Sequence, residues 1–422
     1  MPVAPRRAAT VVLTVLTEKN HYSLEVTGWG QERQLSWDQL GDLDELKAVR
    51  SQMARGMTTF KDLLDGRLDV DADDIDIANA ALTHLQTLGQ SSLTAFLGRE
   101  ATKSLELKQY IRTSLRKWQA RMPAEPPVIM FRVPTLQVAF PVEVLPLLAT
   151  KRMPAAKQVR DLPTICQRFT GFGAITHRVV GSLPDAARDS WLHNVPKLPV
   201  KILHHAAELA GSAVEVDFFQ AAANAVDVDG PWPDSVRDAV SAKELAVTAM
   251  FDPRASFYGP RRPFPDQILH LACHCETESE SVELSSLRFA GRNGDEVALT
   301  LQELGAGFLN LQEEGRRRAT TKLPLVFLNA CGSSMVTAAT ATSFPHHFLQ
   351  FKNRGVLGTE AAIPDSVAAE FARFFYDSIF QQYTVGHSVL RARSLLLRAR
   401  GNPLGILYSY YGNPHLRLQR AV

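Results

Sequence analysis

The amino-acid sequence predicts an α/β fold with a mostly parallel central sheet flanked by helices. Two apolar stretches of strand length, 267–273 and 323–330, carry this prediction because neither shows the polar alternation of a strand that faces water. Strands that are apolar on both sides are typical of the middle of a parallel sheet. Elsewhere, strand-like and helix-like segments alternate along the chain, which is the order expected of an α/β sheet.

The N-terminal third of the sequence predicts a hairpin, three helices and a strand. Alternating apolar residues over 10–16 and 21–27 flank a polar turn and favour a β-hairpin over a short signal peptide. Helical patterns follow over 40–64, from Ile77 to Leu88 and over 99–121, and a strand pattern over 128–133. The third helix is rich in arginine. We interpret its basic side as a face exposed to solvent and not as a nucleic-acid-binding surface.

The middle of the chain predicts strands over 174–180 and 199–204 and a helix over 234–250 that is capped by Asp234. His204 and His205 are neighbours at the end of the second strand. Their side chains are therefore expected to point to opposite faces, and no chemistry is assigned to them.

Two further helices are predicted near the C-terminus. Asp365 is expected to cap the first of them, and the second, which is rich in arginine, is expected to end at Gly401.

The composition is that of an ordinary globular protein. The chain has 422 residues, 45% of them hydrophobic, which is enough for one large core or two smaller ones. A net charge of +2 gives no reason to expect a nucleic-acid partner, and no apolar run is long enough to cross a membrane. The four cysteines do not form the pattern of a disulfide framework, so a reducing, cytoplasmic compartment is predicted.

Residues 270–275 include two histidines and two cysteines, His270, Cys273, His274 and Cys275, which are residue types that bind zinc. Neighbouring residues of a strand point to opposite faces, so these four side chains are not expected to converge on one tetrahedral ion. The sequence has no second cysteine–histidine pair with ligand spacing. We therefore predict no metal and no other cofactor.

Each of the two apolar stretches ends at a reactive side chain. Cys331 follows the second stretch directly, and His274 lies at the end of the first. Catalytic groups of parallel sheets lie beyond the carboxyl ends of the strands, so these two residues are expected to meet if the strands are neighbours. A histidine in hydrogen-bond reach can take the thiol proton and leave a strongly nucleophilic thiolate. The sequence thus predicts a Cys/His catalytic dyad.

The surrounding residues resemble those of the CHAT family, the caspase-like peptidase domains related to separase. Asn329–Gly332 resembles the caspase nucleophile motif, in which Gln-Ala-Cys is followed by Arg, Gln or Gly, and His274 lies 331 − 274 = 57 residues upstream of the cysteine. Other stretches resemble the family's elements and follow in its order: 140–145, 355–359, 363–365, 371–379, 386–388, 390–393 and 411–414. The resemblance is strong from residue 265 onward and weaker over 75–264.

The resemblance implies a role for individual residues. His274 would be the general base and Cys331 the nucleophile, and the backbone N–H groups of Cys331 and Cys275 would form the oxyanion hole. The family has glycine after the histidine, so Cys275 would be strained if that position required a positive φ. Relatives that cut after arginine or lysine hold the cation with an acidic residue near the strand that follows the cysteine, which here implies Glu360 and Asp365 as substrate-binding residues.

The resemblance also implies an organisation and a biological role. We expect an N-terminal extension over 1–70, an inactive caspase-like half over 71–250 and a catalytic half over 251–422. The implied activity is that of an endopeptidase that cleaves a protein substrate in bacterial defence or programmed cell death and is switched on by a separate sensor or activator protein. Two alternatives stay open at this point. One is a catalytically inactive scaffold, which the non-glycine Cys275 favours, and the other is a hydrolase or transacylase that acts on small amides.

Overall fold

The structure is a computed structural model that describes residues 9–134, 140–149, 151, 153–181, 191–192, 197–236, 238–252, 255–257, 266–276, 282–316, 323–330 and 344–419. The strands in chain order are β1 (Val11–Glu18), β2 (His21–Gly28), β3 (Leu35–Asp42), β4 (Val128–Val133), β5 (Ile175–Val180), β6 (Trp191–Leu192), β7 (Leu198–His204), β8 (Val226–Trp232), β9 (Ile268–Glu276), β10 (Ser286–Ala290), β11 (Glu296–Thr300), β12 (Leu323–Ala330), β13 (Asn353–Thr359), β14 (Tyr408–Gly412) and β15 (Arg417–Leu418). The α-helices are α1 (Leu43–Asp62), α2 (Ile75–Phe96), α3 (Ala101–Arg121), α4 (Leu162–Cys166), α5 (Thr170–Gly173), α6 (Ala210–Ala221), α7 (Ala239–Phe251), α8 (Leu301–Glu313), α9 (Phe344–Gln350), α10 (Asp365–Phe380) and α11 (Val385–Arg400).

The chain divides into two compact units. Unit 1 comprises Met1–Ser182 and Thr384–Tyr410, and unit 2 comprises Leu183–Tyr383 and Tyr411–Val422. These limits follow the compactness of the fold. The predicted division into an extension over 1–70, an inactive caspase-like half over 71–250 and a catalytic half over 251–422 rests on the resemblance to a family. It stays a prediction.

The sheet of unit 1 combines an antiparallel hairpin with parallel strands. β1 pairs antiparallel with β2, and β2 with β3, whereas β4 pairs parallel with both β1 and β5. The predicted hairpin is confirmed, and every second side chain of β1 is buried, as the sequence pattern requires. Helix α1 begins at a capping box formed by Asp42 and Glu45.

Unit 1 buries a cluster of three charged side chains. The guanidinium of Arg178 on β5 donates to the carboxylate of Glu143 and, at 2.6 Å, to Ser409 Oγ. Arg393 on α11 lies 3.9 Å from the other oxygen of Glu143 and donates to Thr176 Oγ1 at 2.9 Å. All three charged side chains are at most 1% exposed, so each depends on the others for its charge balance.

The main sheet of unit 2 is parallel and has the strand order β8-β7-β9-β12-β13. Its helices form two groups, because α6 packs against α10 whereas α8 packs against α7 and α9. The end of β9 extends past its parallel neighbours and pairs antiparallel with β10, which pairs with β11. The predicted class, an α/β fold with a mostly parallel sheet and flanking helices, is confirmed.

The strand order of unit 2 reverses direction between β7 and β9. The chain passes from β7 to β8 on one side and then crosses to β9 on the other. A reversal of this kind leaves a crevice at the carboxyl ends of the two central strands, which is the usual ligand site of an open α/β sheet. Among the described helices, none is both long and apolar enough to cross a membrane.

Two predicted helix caps are wrong. Helix α7 is capped by Asp238, whose carboxylate accepts from the N–H groups of Val240 and Ser241, because the chain turns into the helix four residues later than predicted from Asp234. Asp365 begins α10 without accepting a hydrogen bond from that helix. The predicted end of the last helix at Gly401 is confirmed, since Gly401 has the left-handed φ of 64° that glycine adopts freely.

Candidate active site

The two strands predicted to carry the catalytic residues are parallel neighbours. β9 and β12 pair in register from Ile268 and Leu325 to Cys273 and Ala330. The next residues in sequence are His274 on β9 and Cys331 after β12. Cys331 lies outside the described residues, so the site is described here through His274 and its surroundings.

His274 lies on the extension of β9, opposite Arg288 on β10. Its side chain is 25% exposed, and its Nε2 is 3.1 Å from Oε2 of Glu208. Burial lowers the pKa of His274 below its ordinary value, and the neighbouring His205 lowers it further, while Glu208 acts in the opposite direction. The neutral imidazole, which is the form that can accept a proton, is therefore the favoured form near pH 7.

His205 and Glu208 complete the surroundings of His274. The imidazole rings of His205 and His274 meet edge to face with 4.6 Å between their centroids. His205 Nε2 lies 3.5 Å from Oε2 of Glu296, a carboxylate that Arg288 holds with two hydrogen bonds of 2.7 and 2.6 Å. His204 and His205 have different neighbours, since His204 bonds to the backbone of Pro233 whereas His205 lies against His274 and Glu296. The expectation that neither takes part in chemistry did not consider that β7 ends beside β9. That adjacency follows from the switch in strand order, which is the one signal that could have indicated His205.

A small cavity lies beside His274 at the carboxyl edge of the sheet. The residues that line it come from β9, β12, β13, α6 and α10 or the turns beside them: Leu209, Glu215, Ala272, Cys273, Asn329, Thr359, Ile363, Asp365 and Ala368. It measures about 20 Å³, which is room for one water molecule. A larger ligand group would enter only if lining side chains moved.

Asp365 contributes a carboxylate to this cavity. Its Oδ2 accepts from the N–H of Gly211, in the first turn of α6, so Asp365 satisfies a donor of α6 and none of its own helix. A side chain on Gly211 would meet Asp365 Oδ1 at 2.5 Å, so only glycine allows this approach. Burial raises the pKa of Asp365, and Glu215 raises it further, against the effect of the Gly211 hydrogen bond.

Behind the cavity lies a buried polar network. Nδ2 of Asn329 donates to both oxygens of Glu215, at 2.9 and 3.0 Å. His270 lies between Oε2 of Glu215, 2.5 Å from its Nε2, and the hydroxyl of Tyr376, 2.9 Å from its Nδ1. His270 is therefore a buried core histidine held between Glu215 and Tyr376, and the carboxylate of Glu215 is already engaged on both oxygens.

The other predicted site residues take different positions. Glu360 follows β13, is 1% exposed and is not among the described residues that line the cavity. Cys275 lies within β9, opposite Leu287, and is not one of the non-glycine residues with a positive φ. The cysteine in place of the family's glycine is thus accommodated in extended backbone, without the strain considered above.

The residues that could hold a metal ion differ from the set considered in the sequence. Among the described residues, one cluster of potential ligands forms at this site, and it consists of His205, Glu208 and His274, with ligand atoms within 4.8 Å of one another. Cys273 is buried and lines the cavity instead. His270 is committed to Glu215 and Tyr376.

The family model of the CHAT domain matches residues 147–408, more than half of the chain. This chain belongs to the CHAT domain family. Among curated proteins, a Vitiosangium sp. (strain GDMCC 1.1324) protein named "Probable protease" is 33% identical over 97 residues. That match covers 22% of this chain and 13% of the relative, so this chain spans only a small part of the relative's length.

Two solved structures are similar at low sequence identity. The complex of the pro- and mature domains of Porphyromonas gingivalis RgpB is 7% identical, with a TM-score of 0.41, and the match covers 78% of this chain and 72% of that one. The Saccharomyces cerevisiae separase–securin complex is 12% identical, with a TM-score of 0.46, over 97% of this chain and 30% of that one. TM-scores below 0.5 are too low to support an inference about function.

Proposed function

We propose that this chain is a cysteine endopeptidase of the CHAT type, with Cys331 as the nucleophile and His274 as the general base. The observation that carries the proposal is the parallel register of β9 and β12, in which Cys273 and Ala330 are paired and His274 and Cys331 are the next residues. Membership of the CHAT family and the name of the curated relative support a protease. The lowered pKa of His274 supports its role as base.

The proposed reaction has two halves. The thiolate of Cys331 attacks the carbonyl carbon of the scissile peptide bond, and His274 first takes the thiol proton and then gives it to the departing amine as the C–N bond breaks. Water, deprotonated by His274, then attacks the thioester, and the C–S bond breaks to release the acid and restore the thiol. The oxyanion of each tetrahedral intermediate would accept from the backbone N–H groups of Cys275 and Cys331.

Glu208 has the geometry of a positioning residue for His274. Its carboxylate oxygen lies 3.1 Å from Nε2, and it is the nearest negative charge that opposes the lowering of the pKa of the imidazole. A carboxylate beside the base favours the imidazolium that forms when the thiol proton is taken up. Because the side chain of Glu208 is 64% exposed, water screens this effect, and we expect a modest contribution.

Asp365 is the proposed determinant of a preference for arginine or lysine. It lines the cavity beside His274, and its half-buried carboxylate is poorly solvated, so a substrate cation would gain a charge-assisted hydrogen bond there. Glu215 is already paired with Asn329 and His270. Glu360 is retained as the second predicted acid, although it lies outside the lining of the cavity. The cavity must widen for such a side chain to enter.

The biological setting is proposed from the family alone. We propose a cytoplasmic enzyme that acts on a protein substrate in bacterial defence or programmed cell death, and that a separate sensor or activator protein switches on. A protein of this kind would be closed at rest, which fits a cavity of about 20 Å³ beside the proposed base.

The test is covalent labelling of the whole chain with three acyloxymethyl-ketone probes that carry an arginine, a hydrophobic or an acidic side chain. It is run with and without the proteins encoded beside this chain. We expect one adduct per chain, formed fastest with the arginine probe and absent in Cys331→Ala and His274→Ala. Adduct formed only with the hydrophobic or acidic probe would keep the peptidase and remove the basic pocket.

Matched variants separate the dyad from its neighbours. Cys275→Ala and His347→Ala remove a cysteine and a histidine that are not assigned to the dyad, and both are expected to keep the adduct. Equal labelling of His274→Ala and the unaltered chain would contradict the dyad. The absence of an adduct with every probe and every added protein would favour a scaffold that binds partners without cutting them.

A further inference from the structure

We propose that His205, Glu208 and His274 form a binding site for a zinc ion, and that zinc bound there blocks the peptidase. Each residue offers one ligand atom, and these atoms lie within 4.8 Å of one another. Two imidazole nitrogens and one carboxylate oxygen are a donor set that suits Zn²⁺ and leaves a fourth position open. The blocking effect rests on the proposed function, whereas the binding site does not.

The three residues are brought together by the strand order of unit 2. His205 and Glu208 follow β7, and His274 lies on β9, its parallel neighbour. Donor atoms around a tetrahedral zinc ion are about 3.3 Å apart, so no pair of donor atoms must close by more than about 1.5 Å. Nε2 of His274 and Oε2 of Glu208 are already 3.1 Å apart. The pairs that must close therefore involve His205, and a change of rotamer in the exposed side chain of Glu208 can shorten its own distance to His205.

The hydrogen bonding of His205 points to a missing partner. His205 is 1% exposed, and its Nδ1 has no hydrogen-bond partner among the described residues. Buried polar atoms without a partner are rare in native structures and call for an explanation. With Nδ1 bound to the ion, Nε2 would keep its proton and face the carboxylate of Glu296 at 3.5 Å. An outer carboxylate of this kind commonly orients a histidine that binds zinc.

Binding at this site has a direct chemical consequence. A zinc ion on Nε2 of His274, the nitrogen beside Glu208, leaves the neutral imidazole with its proton on Nδ1. No lone pair then remains to take the proton from Cys331, so the base is lost while the ion is bound. The ion can reach the site from solvent because His274 is 25% exposed and Glu208 is 64% exposed. Magnesium and calcium prefer oxygen ligands, so they are expected neither to bind here nor to block the enzyme.

The first measurement is metal binding by the whole chain after treatment with a chelator. Zn²⁺ binding is followed by calorimetry, and Co²⁺, which gives visible absorption in tetrahedral sites, serves as a spectroscopic probe. We expect one ion per chain and at least tenfold weaker binding in His205→Ala and Glu208→Gln. Glu276→Gln, which removes a nearby carboxylate outside the cluster, is the matched control and is expected to bind as the unaltered chain does.

Folding and activity are measured on the same samples. Thermal unfolding in chelator checks that each variant folds, and Glu208→Gln is the safer variant because its side chain is mostly exposed. The rate of labelling with the arginine probe is then measured in chelator and in zinc. For each variant, the rate in zinc is divided by the rate in chelator. We expect zinc to suppress labelling of the unaltered chain and of Glu276→Gln, and to suppress that of Glu208→Gln less.

The outcomes separate the two proposals. Zinc binding that depends on His205 and Glu208 in a chain that no probe labels would keep the site and remove the peptidase. A chain that is labelled in chelator but binds neither ion, or binds them equally well in all variants, would overturn the site. Binding at the site without any change in labelling would overturn the blocking effect.

Discussion

The charged cluster in the core of unit 1 and the one around His274 in unit 2 differ in exposure. In unit 1, Glu143, Arg178 and Arg393 are at most 1% exposed and are directed at one another. In unit 2, His274 and Glu208 are 25% and 64% exposed, and the neighbouring Asp365 lines a cavity. Charges that are paired within the core make the fold depend on each partner, whereas charges at the open edge of a sheet remain available to a ligand. The exposure of the cluster around His274 supports the proposal that the chemistry lies in unit 2.

The first prediction concerns the cluster of unit 1, where we expect the largest effect. Glu143→Gln would leave the guanidinium groups of Arg178 and Arg393 buried without a counter-charge. Burial lowers the pKa of Arg393 to about 10, so this guanidinium still carries its charge at pH 7. The free energy of unfolding should fall by about 3–5 kcal/mol. Chemical denaturation followed by circular dichroism measures it. Asp69→Asn, at the exposed pair with Arg400 in the same unit, should cost under about 1 kcal/mol.

The second prediction asks whether the buried part of unit 2 behaves like unit 1. Glu215→Ala removes the acceptor of both Asn329 hydrogen bonds and the partner of His270. We expect a loss of about 2–3 kcal/mol in the free energy of unfolding, because Asn329 keeps only its longer bond to the carbonyl of Ala368 and His270 keeps only Tyr376. Asp217→Asn, at an exposed position of the same helix, is the control. Equal stability of the two variants would show that this network contributes nothing to the fold.

The third prediction concerns Asp365, at the open edge of unit 2. Asp365→Asn should slow labelling by the arginine probe at least tenfold, while the hydrophobic probe is unaffected. Because the folded protein raises the pKa of Asp365, stability is lost as pH rises through that pKa, and the neutral asparagine avoids this loss. The melting temperature at pH 7.5 should therefore be no lower than that of the unaltered chain. If labelling by the arginine probe is slowed by Glu360→Gln and not by Asp365→Asn, then Glu360, and not Asp365, determines the preference for arginine.

The fourth prediction concerns Glu208 and has the smallest expected effect. The pKa of His274 is lowered, so labelling in chelator should persist below pH 6.5 before protonation of the base slows it. Glu208 opposes that lowering, so Glu208→Gln should move the fall in rate to still lower pH and change the rate itself less than tenfold. A fall at the same pH in both proteins would mean that Glu208 does not act on His274.

Part of the sheet could be predicted because burial leaves a local pattern, whereas β3, β8, β10, β11 and β14 were not predicted as strands. β9 and β12 were evident as apolar runs, and β1 and β2 as alternating ones. Helix starts were harder, since Asp234 and Asp238 are both acceptable caps and only the path of the chain decides between them. The structure also explains two of the stretches that resemble the family. Those around Glu143 and Arg393 contribute the side chains of the buried ion cluster of unit 1.

The site was only half predictable, because part of it depends on long-range packing. His274 and Asp365 could be indicated from motifs. His205 and Glu208 could not, since 274 − 205 = 69 residues separate the two histidines and only the order of the strands brings them together. The bond from Gly211 to Asp365 spans 154 residues and has no local signal. The strand-order rule for α/β sheets, applied to β7, was the one available guide to this half of the site.

The central claim, that His274 activates Cys331, is tested most directly by the rate at which each cysteine reacts with a small neutral alkylating agent. Reduced protein in chelator is treated at pH 6.5, and the modified peptides are quantified by mass spectrometry. We predict that Cys331 reacts at least tenfold faster than the partly exposed Cys275, and that His274→Ala removes this excess. Equal rates at the two cysteines, or an excess at Cys331 that survives in His274→Ala, would contradict the claim.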